Sequence, residues 1–560
     1  MANPHRYVVS PHSAPLPVPP LHVKKVGRIN LAVIEKFAAA NSQLLDRWNR
    51  SARWLSDDTV YAAVPESGAQ DCPRAHLSKA DVEKLVEFGV AVPIAPDSVR
   101  GHVRMFAVPE PAKGRRRPIK HTLAVNDILG KETLQKVRFP SKKEICDAVH
   151  HGEWSIAFDF AAYFDQFEYA ATVGARFCFR SGGGFFRLNT LAMGQRQAVE
   201  VAQSCTDALI LFPDRRSRTM SVIDNVIFIG SREDVCADAT AFVRRVAAAG
   251  GTLNELDVAT ATDEQIAAMA TQAQDWCGVH IDLARKQVCL PGKTVDKTAR
   301  SWDALHTWSW RDLAGHLGLL FWSWGISRAH PSDYFSVLRM VVGIGRKLQE
   351  RPDLWDAPAK IWCSAKHDLE RWTHAVIENV PRDVLPTTPP QLLVVTDASR
   401  WGWGYVALDT TTGALHTHGD RWPPGIEARF GALLRRSVVS EPQAIVLAMY
   451  RLLSKDGPKR VRIACDNVAA VASGRRGFNP RSFPLNWCQQ RLRRIFGDSW
   501  TFEFLHVAGK TNVADALSRG QKVEVFRREN DEQSLAEWLR LQVGNGHDLT
   551  RDQPISPSTR

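Results

Sequence analysis

The sequence predicts an α+β protein of several domains, and three of its features lead to this prediction. With 560 residues, the chain is too long for one ordinary hydrophobic core. Strand-like apolar runs alternate with helical stretches over residues 103–290, and a second, compact α/β pattern covers residues 392–518. A Trp-rich helical region, residues 301–379, and a proline-rich linker stand between the two patterns.

The charge of the chain favours a polyanionic partner. The formal net charge is +12 at pH 7, and the sequence pI is about 9.3. Lys and Arg side chains gain free energy by displacing counterions from phosphates, so a nucleic acid is the partner that this balance suggests. A basic protein that is merely soluble would have the same balance, and charge alone does not separate the two.

Cysteines and apolar runs indicate the compartment. The ten cysteines are scattered singly, without the close spacing of a zinc site, which predicts free thiols in a reducing environment. The first residues are rich in Pro, Ser and His and lack the apolar stretch of a signal peptide. The longest apolar run is too short to span a bilayer. We therefore expect an intracellular protein, in the cytoplasm or the nucleus, with no membrane partner.

A carboxylate lies near the end of an apolar strand pattern. Residues 155–160 form a strand-type run that Asp159 interrupts near its end, and a helical stretch follows. Taken alone, such an Asp is more often a cap of the helix that follows it. However, a carboxylate at the end of a buried strand costs free energy unless it holds a cation or a partner.

A second carboxylate changes this interpretation. Residues 219–230 consist of two β-rich runs joined at Asp224-Asn225, and these residue types tolerate the positive φ of a tight hairpin turn. The turn would place Asp224 at the hairpin tip, and in one sheet Asp159 and Asp224 would meet at the same edge. Two adjacent carboxylates repel unless divalent cations bridge them, which is the arrangement of two-metal phosphoryl transfer. Mg²⁺, or Mn²⁺, is the expected cofactor, with about two ions per site.

With these motifs in this order, the sequence resembles the reverse transcriptases of retroelements over residues 103–345. The resemblance implies a right-hand polymerase, with fingers and palm in residues 101–300 and a thumb or connection in residues 301–380. It also implies that an RNA template, a DNA primer and deoxynucleoside triphosphates are the substrates. An N-terminal extension, residues 1–100, would be partly flexible, because the prolines near its start block both helix and strand.

The resemblance implies roles for four further residues. Arg117, in the basic segment 113–119, would hold the incoming triphosphate. Phe164 would lie under the sugar and disfavour a 2′-hydroxyl. Gly194 would allow a close approach of the backbone, and Gln195 beside it would contact the substrate.

One departure from the family pattern concerns the hairpin. The family has an aromatic residue, any residue and two Asp, whereas this chain has Val222-Ile223-Asp224-Asn225. An Asn can give an oxygen to a metal or bind a water, but it carries no charge. We expect reduced or altered metal affinity, and an inactive polymerase is the alternative.

A second acidic set lies in the α/β pattern near the C-terminus. Asp397 ends an apolar strand, Glu441 lies at the opening of a helix, Asp466 ends another strand, and Asp515 begins a short helix. Each of them alone is more often a cap or a solvated acid. Together they would bind two metals and position a water against a phosphodiester, and His506 would help product release or move a proton.

This acidic set resembles ribonuclease H over residues 392–521, after a linker at residues 381–391 and before a tail at residues 522–560. The most specific motif runs from His506 to Arg519, and it is similar to the ribonuclease H of LTR-type and tyrosine-recombinase (DIRS-type) retrotransposons. The resemblance implies that the RNA strand of an RNA–DNA hybrid is hydrolysed.

The expected function is therefore that of a retrotransposon enzyme, an RNA-directed DNA polymerase with ribonuclease H activity. The alternative is a domesticated or degenerate protein that binds nucleic acid and retains at most the nuclease. The sequence contains no zinc-knuckle, protease or integrase motif, so we expect a partial polyprotein or an element of unusual layout. Segment 475–494, basic with interleaved aromatics, is predicted to contact nucleic acid, and the tryptophans of residues 302–324 are predicted to be core.

Overall fold

The computed structural model describes residues 18–130, 137–304, 308–384, 389–452, 460–497, 500–521 and 532–546. The chain divides into two compact units, which consist of Met1–Cys277 with Asp282–Ala284 and of Gly278–Ile281 with Arg285–Arg560. The α+β multidomain architecture that the sequence predicts is confirmed. The start of the predicted N-terminal extension and most of the predicted tail lie outside the described residues.

The first unit combines helices with short antiparallel sheets. Its helices are Leu31–Ala38, Ser42–Ser56, Lys79–Glu87, Leu123–Leu129, Lys142–His151, Ala171–Gly174, Ala198–Ile210, Arg232–Ala248 and Asp263–Ala268. Its strands are Ala91–Pro93, Arg104–Glu110, Arg115–His121, Trp154–Asp159, Cys178–Ser181, Gly184–Leu188, Arg218–Val222, Asn225–Gly230 and Ala273–Trp276. The strand Val279–Asp282 lies where the chain passes from one unit to the other.

The central sheet of the first unit has three antiparallel strands. Asn225–Gly230 lies in the middle, between Trp154–Asp159 and Arg218–Val222. Its apolar residues from 226 to 229 are fully buried, as expected for a run of β-branched and aromatic side chains in a central strand. Helix Arg232–Ala248 packs against the sheet, and its Phe242 contacts the aromatic rings of the sheet. Helix and sheet therefore share one hydrophobic core, next to which the strand Trp154–Asp159 ends.

The described part of the N-terminal extension belongs to the core of the first unit. Trp48 of helix Ser42–Ser56 is 1% exposed, and Ile34 is fully buried. Both lie in the same hydrophobic cluster as Phe158 of the central sheet. Residues 31–56 therefore stabilise the first unit rather than preceding it as a separate arm.

The second unit contains helices on both sides of one larger sheet, and a helical region before it. Its helices are Gly292–Asp303, Trp310–Ser323, Phe335–Glu350, Cys363–Glu378, Pro424–Phe430, Ser437–Arg451, Val468–Arg476, Phe483–Phe496, Asp515–Ser518 and Glu532–Trp538, followed by the π-helical turn Leu539–Val543. Its strands are Gln287–Cys289, Arg382–Asp383, Leu392–Ala398, Gly402–Asp409, Leu415–Arg421, Arg460–Cys465 and Thr501–His506.

The five-stranded sheet of the second unit combines antiparallel and parallel strands. Leu392–Ala398 is central, with the antiparallel meander Gly402–Asp409 and Leu415–Arg421 on one side. Arg460–Cys465 and Thr501–His506 lie parallel on the other side, each reached through helices. Both faces of the sheet are covered by hydrophobic clusters, so the central strand reads as a continuous apolar run.

A helix near the C-terminus covers one of these faces. Leu539 and Val543 are fully buried in the same cluster as Val395 and Leu393 of the central strand. The sequence predicts a short helix near residues 535–543, but it places this helix in a polar tail beyond residue 521. The structure shows instead that the sheet's second face is completed by this segment.

The helical region and the linker differ from the expectation in detail. Trp308 is 5% exposed, whereas Trp322 is 46% exposed, so only part of the predicted tryptophan core is buried. In the predicted linker, Arg382–Asp383 pairs with Gln287–Cys289 as a short strand, and residues 385–388 lie outside the described residues. In the described part of the chain, every helix is too short or too polar to cross a bilayer.

We predict that Leu539→Ala lowers the free energy of unfolding by roughly 2–5 kcal/mol, because it leaves a cavity in a fully buried site. Urea unfolding of the full chain measures this change. Leu541→Ala is the matched control, since Leu541 is 55% exposed on the same turn and its loss should change stability by less than about 0.5 kcal/mol. Equal effects of the two substitutions would contradict the placement of this helix.

Candidate active sites

Strand pairing brings two carboxylates together in the second unit. Asp397 lies one residue before the end of Leu392–Ala398, and Asp466 directly follows Arg460–Cys465. These strands are parallel neighbours in which Val395 pairs with Ala464, so both Asp residues lie two positions beyond that pair at the same end of the sheet. The sequence predicts this convergence, and the structure brings these two residues together.

Glu441 joins them from a helix that packs on the central strand. The helix is Ser437–Arg451, which begins earlier than the sequence predicts and places Glu441 in its second turn. One carboxylate oxygen from each of Asp397, Glu441 and Asp466 lies within 4.8 Å of the others. Glu441 Oε1 accepts the Ala398 N–H at 3.2 Å, but Oε2 is buried without a hydrogen-bond partner among the described residues. A buried carboxylate oxygen without a partner, on a side chain next to two other carboxylates, is what a cation site requires.

The protonation of this cluster reflects its burial. Burial raises the pKa of the Asp397 carboxyl to about 6, and the nearby negative charges of Asp466 and Asp515 add to the effect. Burial, followed by the charge of Asp397, raises the pKa of Glu441 well above its ordinary value. Burial also raises the pKa of Asp466, and the positive charge of His506 opposes this shift. A divalent cation bound between these carboxylates would reduce the electrostatic repulsion that contributes to their raised pKa values.

Two residues that the sequence motif contained but that were not assigned a role support the cluster. Asn512 donates from Nδ2 to Asp397 Oδ1 at 3.0 Å and to the Thr396 carbonyl at 3.1 Å. A Cβ atom on Gly509 would lie 3.0 Å from Asp466 Oδ2, so a larger residue there would crowd the carboxylate. The spacing of Gly509 and Asn512 after His506 is the sequence signal that could have identified them. This spacing does not show which carboxylate each residue contacts.

The remaining predicted residues of this set lie beside the cluster. Asp515 begins the helix Asp515–Ser518 as predicted, and its carboxylate is held by the Arg519 guanidinium, with Nη2 2.8 Å from Oδ1. It therefore stands next to the cluster of three rather than inside it. His506 ends the strand Thr501–His506, and its Nε2 lies 3.2 Å from the Asp466 carbonyl oxygen.

We predict that Asp397→Asn stabilises the protein in EDTA at pH 8 by roughly 1–3 kcal/mol, since one pKa unit corresponds to about 1.4 kcal/mol. The pKa of Asp397 is about 6 in the folded state and 3.8 in the unfolded state. The protonated Asp397 carboxyl therefore contributes fully to stability below pH 3.8, and this contribution is lost as the pH rises through about 6. Thermal unfolding at pH 4 and pH 8 measures the difference, which should vanish at pH 4.

The same measurement with Mg²⁺ provides the control. Wild-type protein should gain stability from Mg²⁺ at pH 8, because a cation that binds only the folded state stabilises it, whereas Asp397→Asn should gain little. If the wild-type protein were more stable than the variant in EDTA at pH 8, the conclusion that Asp397 is ionised at a buried and unfavourable position would be contradicted.

In the first unit, antiparallel pairing brings Asp159 and Asp224 together. Asp159 ends its strand and pairs with Asn225 on the neighbouring strand, and the Phe160 N–H donates to the Asp224 carbonyl at 3.0 Å. The turn consists of Ile223 and Asp224, not of Asp224-Asn225 as predicted, because Asn225 already belongs to the strand. The positive φ of 57° falls on Ile223, where a β-branched side chain makes it strained by about 1–3 kcal/mol.

A buried helix holds this strained turn in place. Gln203 of Ala198–Ile210 accepts the Ile223 N–H at 2.7 Å, and the Thr206 hydroxyl donates to the Ile223 carbonyl at 2.6 Å. The Thr206 hydroxyl also lies 2.8 Å from the Tyr163 hydroxyl. Both helix residues are buried, so the tip that carries Asp224 is fixed by contacts that water cannot replace.

A third carboxylate, Glu255, lies at this site and was missed by sequence reasoning. Its Oε1 and Oε2 accept the Asp159 N–H at 3.1 and 3.2 Å. Partial loss of water raises the pKa of Glu255, of Asp224 and of Asp159, and the charge of Asp224 adds to the shift of Asp159. Asn225 donates to Asp224 Oδ1 at 3.1 Å. No local pattern marks Glu255, because it reaches the site through pairing across 96 residues.

Two of the predicted substrate-binding residues remain accessible. Phe164 is half-buried on the short helix Tyr163–Gln166 and packs against the core. Arg117 lies on the hairpin strand Arg115–His121, is 44% exposed, and forms an ion pair with Glu110 at 2.9 Å. An exposed pair of this kind contributes little to stability, so a phosphate could replace Glu110 as its partner.

The other two predicted substrate-binding residues, Gly194 and Gln195, have roles within the fold. Gly194 allows a close approach, but to the chain itself, because a Cβ there would lie 2.8 Å from the Lys120 carbonyl oxygen. Its own carbonyl accepts Asn126 Nδ2 at 2.8 Å. Gln195 is 1% exposed and bonds the hydroxyls of Tyr61 and Tyr169 at 2.7 and 2.6 Å. It fixes the loop from inside rather than presenting an amide to a substrate.

Several side chains of the basic segment 475–494 contact the helical region of the second unit. Phe478 packs edge-on against Trp324, and Phe483 packs edge-on against Phe335. Arg493 forms an ion pair with Asp333. Phe478 thus packs on the helical region before the sheet, whereas Phe483 contacts that region and remains 45% exposed.

Comparison with known proteins identifies similar folds only. No family model matches the chain, and no curated protein matches it. Among solved structures, a foamy viral protease-reverse transcriptase in complex with dsDNA is 13% identical, with 86% of this chain and 98% of that chain covered and a TM-score of 0.45. The same viral protein with an RNA/DNA hybrid is 13% identical, with coverages of 88% and 64% and a TM-score of 0.43. The chemistry of this chain therefore rests on its own side chains.

Proposed function

We propose that the chain is a phosphoryl-transfer enzyme with two separate sites, a ribonuclease H in the second unit and an RNA-directed DNA polymerase in the first. The observation that carries this proposal is the unpaired, buried Oε2 of Glu441 beside Asp397 and Asp466. A structural acid would be paired, whereas a set of hard oxygen ligands held together against repulsion suits Mg²⁺ or Mn²⁺.

In the nuclease, Asp397, Glu441, Asp466 and Asp515 would hold two divalent cations, which supply an activated water and stabilise the leaving oxygen. Asn512 keeps the Asp397 carboxylate in one orientation. Arg519 holds Asp515 next to the other three acids, from where Asp515 can join the ligand set. The substrate is the RNA strand of an RNA–DNA hybrid.

In the polymerase, Asp159 and Asp224 would hold the cations that lower the pKa of the primer 3′-hydroxyl and stabilise the pyrophosphate. Glu255 adds a carboxylate next to Asp159 where the second Asp of the hairpin is replaced by an amide. Arg117 would bind the triphosphate, and Phe164 would lie under the sugar. The RNA template, the DNA primer and deoxynucleoside triphosphates are the proposed substrates.

The origin that fits these activities is a retroelement of the LTR or tyrosine-recombinase type. Both kinds combine the two activities in one chain, and the motif from His506 to Arg519 supports this origin. We expect the enzyme to act inside the cell, in the cytoplasm or the nucleus, where its RNA template is made or translated. A domesticated protein that retains only the nuclease is the second candidate, and the replacement of Asp by Asn225 favours it.

We predict that Asp397→Asn lowers cleavage of a labelled RNA–DNA hybrid by at least about 100-fold, because metal ligands act as a unit. Primer extension by the same variant should stay within about 2-fold of wild type, since Asp397 belongs to the other unit. Loss of both activities in a folded variant would count against two separate sites.

We predict that purified protein extends a DNA primer on an RNA template, and that Mn²⁺ supports extension better than Mg²⁺. The reason is that Asn225 supplies a neutral ligand, and Mn²⁺ tolerates weaker sites than Mg²⁺ does. Asp159→Ala is the control and should abolish extension with either ion. Hybrid cleavage without any extension by the wild-type protein would establish the nuclease-only alternative.

A further inference from the structure

An extended segment near the N-terminus runs along the first unit and reaches Asp159. Residues 20–30, here called the strap, pair with the hairpin through the His22 N–H, which donates to the Arg116 carbonyl at 2.7 Å. At its other end, the Ile29 N–H donates to the Gln166 carbonyl at 2.8 Å. Between these anchors, Lys24 Nζ donates to Asn254 Oδ1 at 2.5 Å. The strap therefore delivers one positive charge to the edge of the candidate polymerase site.

Asn254 connects this lysine to the carboxylate. Its Nδ2 donates to Asp159 Oδ2 at 2.7 Å, and its backbone N–H donates to the Asp159 carbonyl at 2.9 Å. Two contacts from one residue fix both the backbone and the side chain of Asp159. Oδ1 of the carboxylate accepts no hydrogen bond from the described residues, so it can bind a cation while Oδ2 stays anchored.

The lysine determines which way the amide points. A Lys ammonium only donates hydrogen bonds, so the side-chain oxygen of Asn254 must face Lys24. The NH₂ group must then face Asp159, whose ionised carboxylate can only accept hydrogen bonds. An Asn without this cation could turn its oxygen toward the carboxylate and repel it. Lys24 thus fixes the donor in place and lowers the pKa of Asp159 against the effects of burial and of Asp224.

We propose that Asn254 and Lys24 are positioning residues for Asp159, and that they hold its carboxylate in the orientation that binds the catalytic cation. This inference rests on the proposed polymerase. The repulsion from Asp224 would otherwise turn Asp159 away, because an Asp at a strand end has free rotamers. The second unit contains the same device independently, since Asn512 donates to Asp397 Oδ1 at 3.0 Å. A carboxamide suits this task because it contacts the acid directly and is itself neutral, so the ammonium of Lys24 stays one side chain away from the carboxylate.

The test measures the metal dependence of primer extension in full-length variants. Asn254→Ala should raise the Mg²⁺ concentration for half-maximal extension by about 10-fold to 100-fold, as expected for loss of a residue that orients a metal ligand. Asn254→Asp, which is nearly isosteric, should do so at least as strongly because it places a second charge against Asp159. Lys24→Met should give a smaller increase of about 2-fold to 10-fold, and Lys24→Arg should restore most of the affinity.

Two controls separate positioning from general damage. Asn254 is solvent-exposed, so its replacement leaves the core intact, and Asn41→Ala serves as the matched variant because Asn41 donates nothing to the site and only caps a helix of the same unit. Asn41→Ala should leave the Mg²⁺ requirement unchanged. Hybrid cleavage, which depends on the second unit, should be unchanged in every one of these variants.

A binding measurement keeps this inference distinct from the proposed function. In an Asp397→Asn, Glu441→Gln background, Mn²⁺ binding followed by electron paramagnetic resonance should be weakened by Asn254→Ala, although less than by Asp159→Ala, which removes the ligand itself. If wild-type protein extends no primer but this weakening occurs, the polymerase proposal fails and the positioning role stands. If Asn254→Ala binds Mn²⁺ and extends primers with wild-type metal dependence, the positioning role is overturned.

Discussion

Repulsion between neighbouring carboxylates is the constraint on which both candidate sites depend. In the second unit, Asp397 and Asp466 share one end of two parallel strands, and backbone pairing rather than mutual attraction holds them there. Burial raises the pKa of both, and it raises the pKa of Glu441 still more. The fold sustains this unfavourable arrangement because hydrophobic clusters on both faces of the sheet stabilise the strands that carry it.

The first unit meets the same constraint with antiparallel strands and a strained turn. Asp224 stands on a two-residue turn whose other member, Ile223, has a positive φ. The helix residues Gln203 and Thr206 bond this turn from the core, so the strain is compensated by buried hydrogen bonds. The neutral Asn225 reduces the repulsion on that strand, while Glu255 brings a charge back from another segment.

Carboxamides orient the acids in both units. Asn512 and Asn254 each donate to an Asp near the end of a strand, at 3.0 and 2.7 Å. An amide is suited to this position because it donates a hydrogen bond to the ionised acid and leaves the charge balance of the site unchanged. Arg519, which holds Asp515, shows the contrast, since a guanidinium also neutralises the acid that it orients.

Local pattern in the sequence determined the strand ends and hence Asp159, Asp397 and Asp466, because side-chain periodicity and turn chemistry act over a few residues. Only the tertiary structure decided which side chains contact these carboxylates. Asn254 reaches Asp159 across 95 residues of chain, and Lys24 reaches Asn254 across 230. Tertiary structure also decided what the aromatic residues of the basic segment 475–494 contact, which is neighbouring helices. A sequence pattern can show that a side chain will be covered, but it does not show which element will cover it. Pairing between distant segments has no local energetic signature in the sequence.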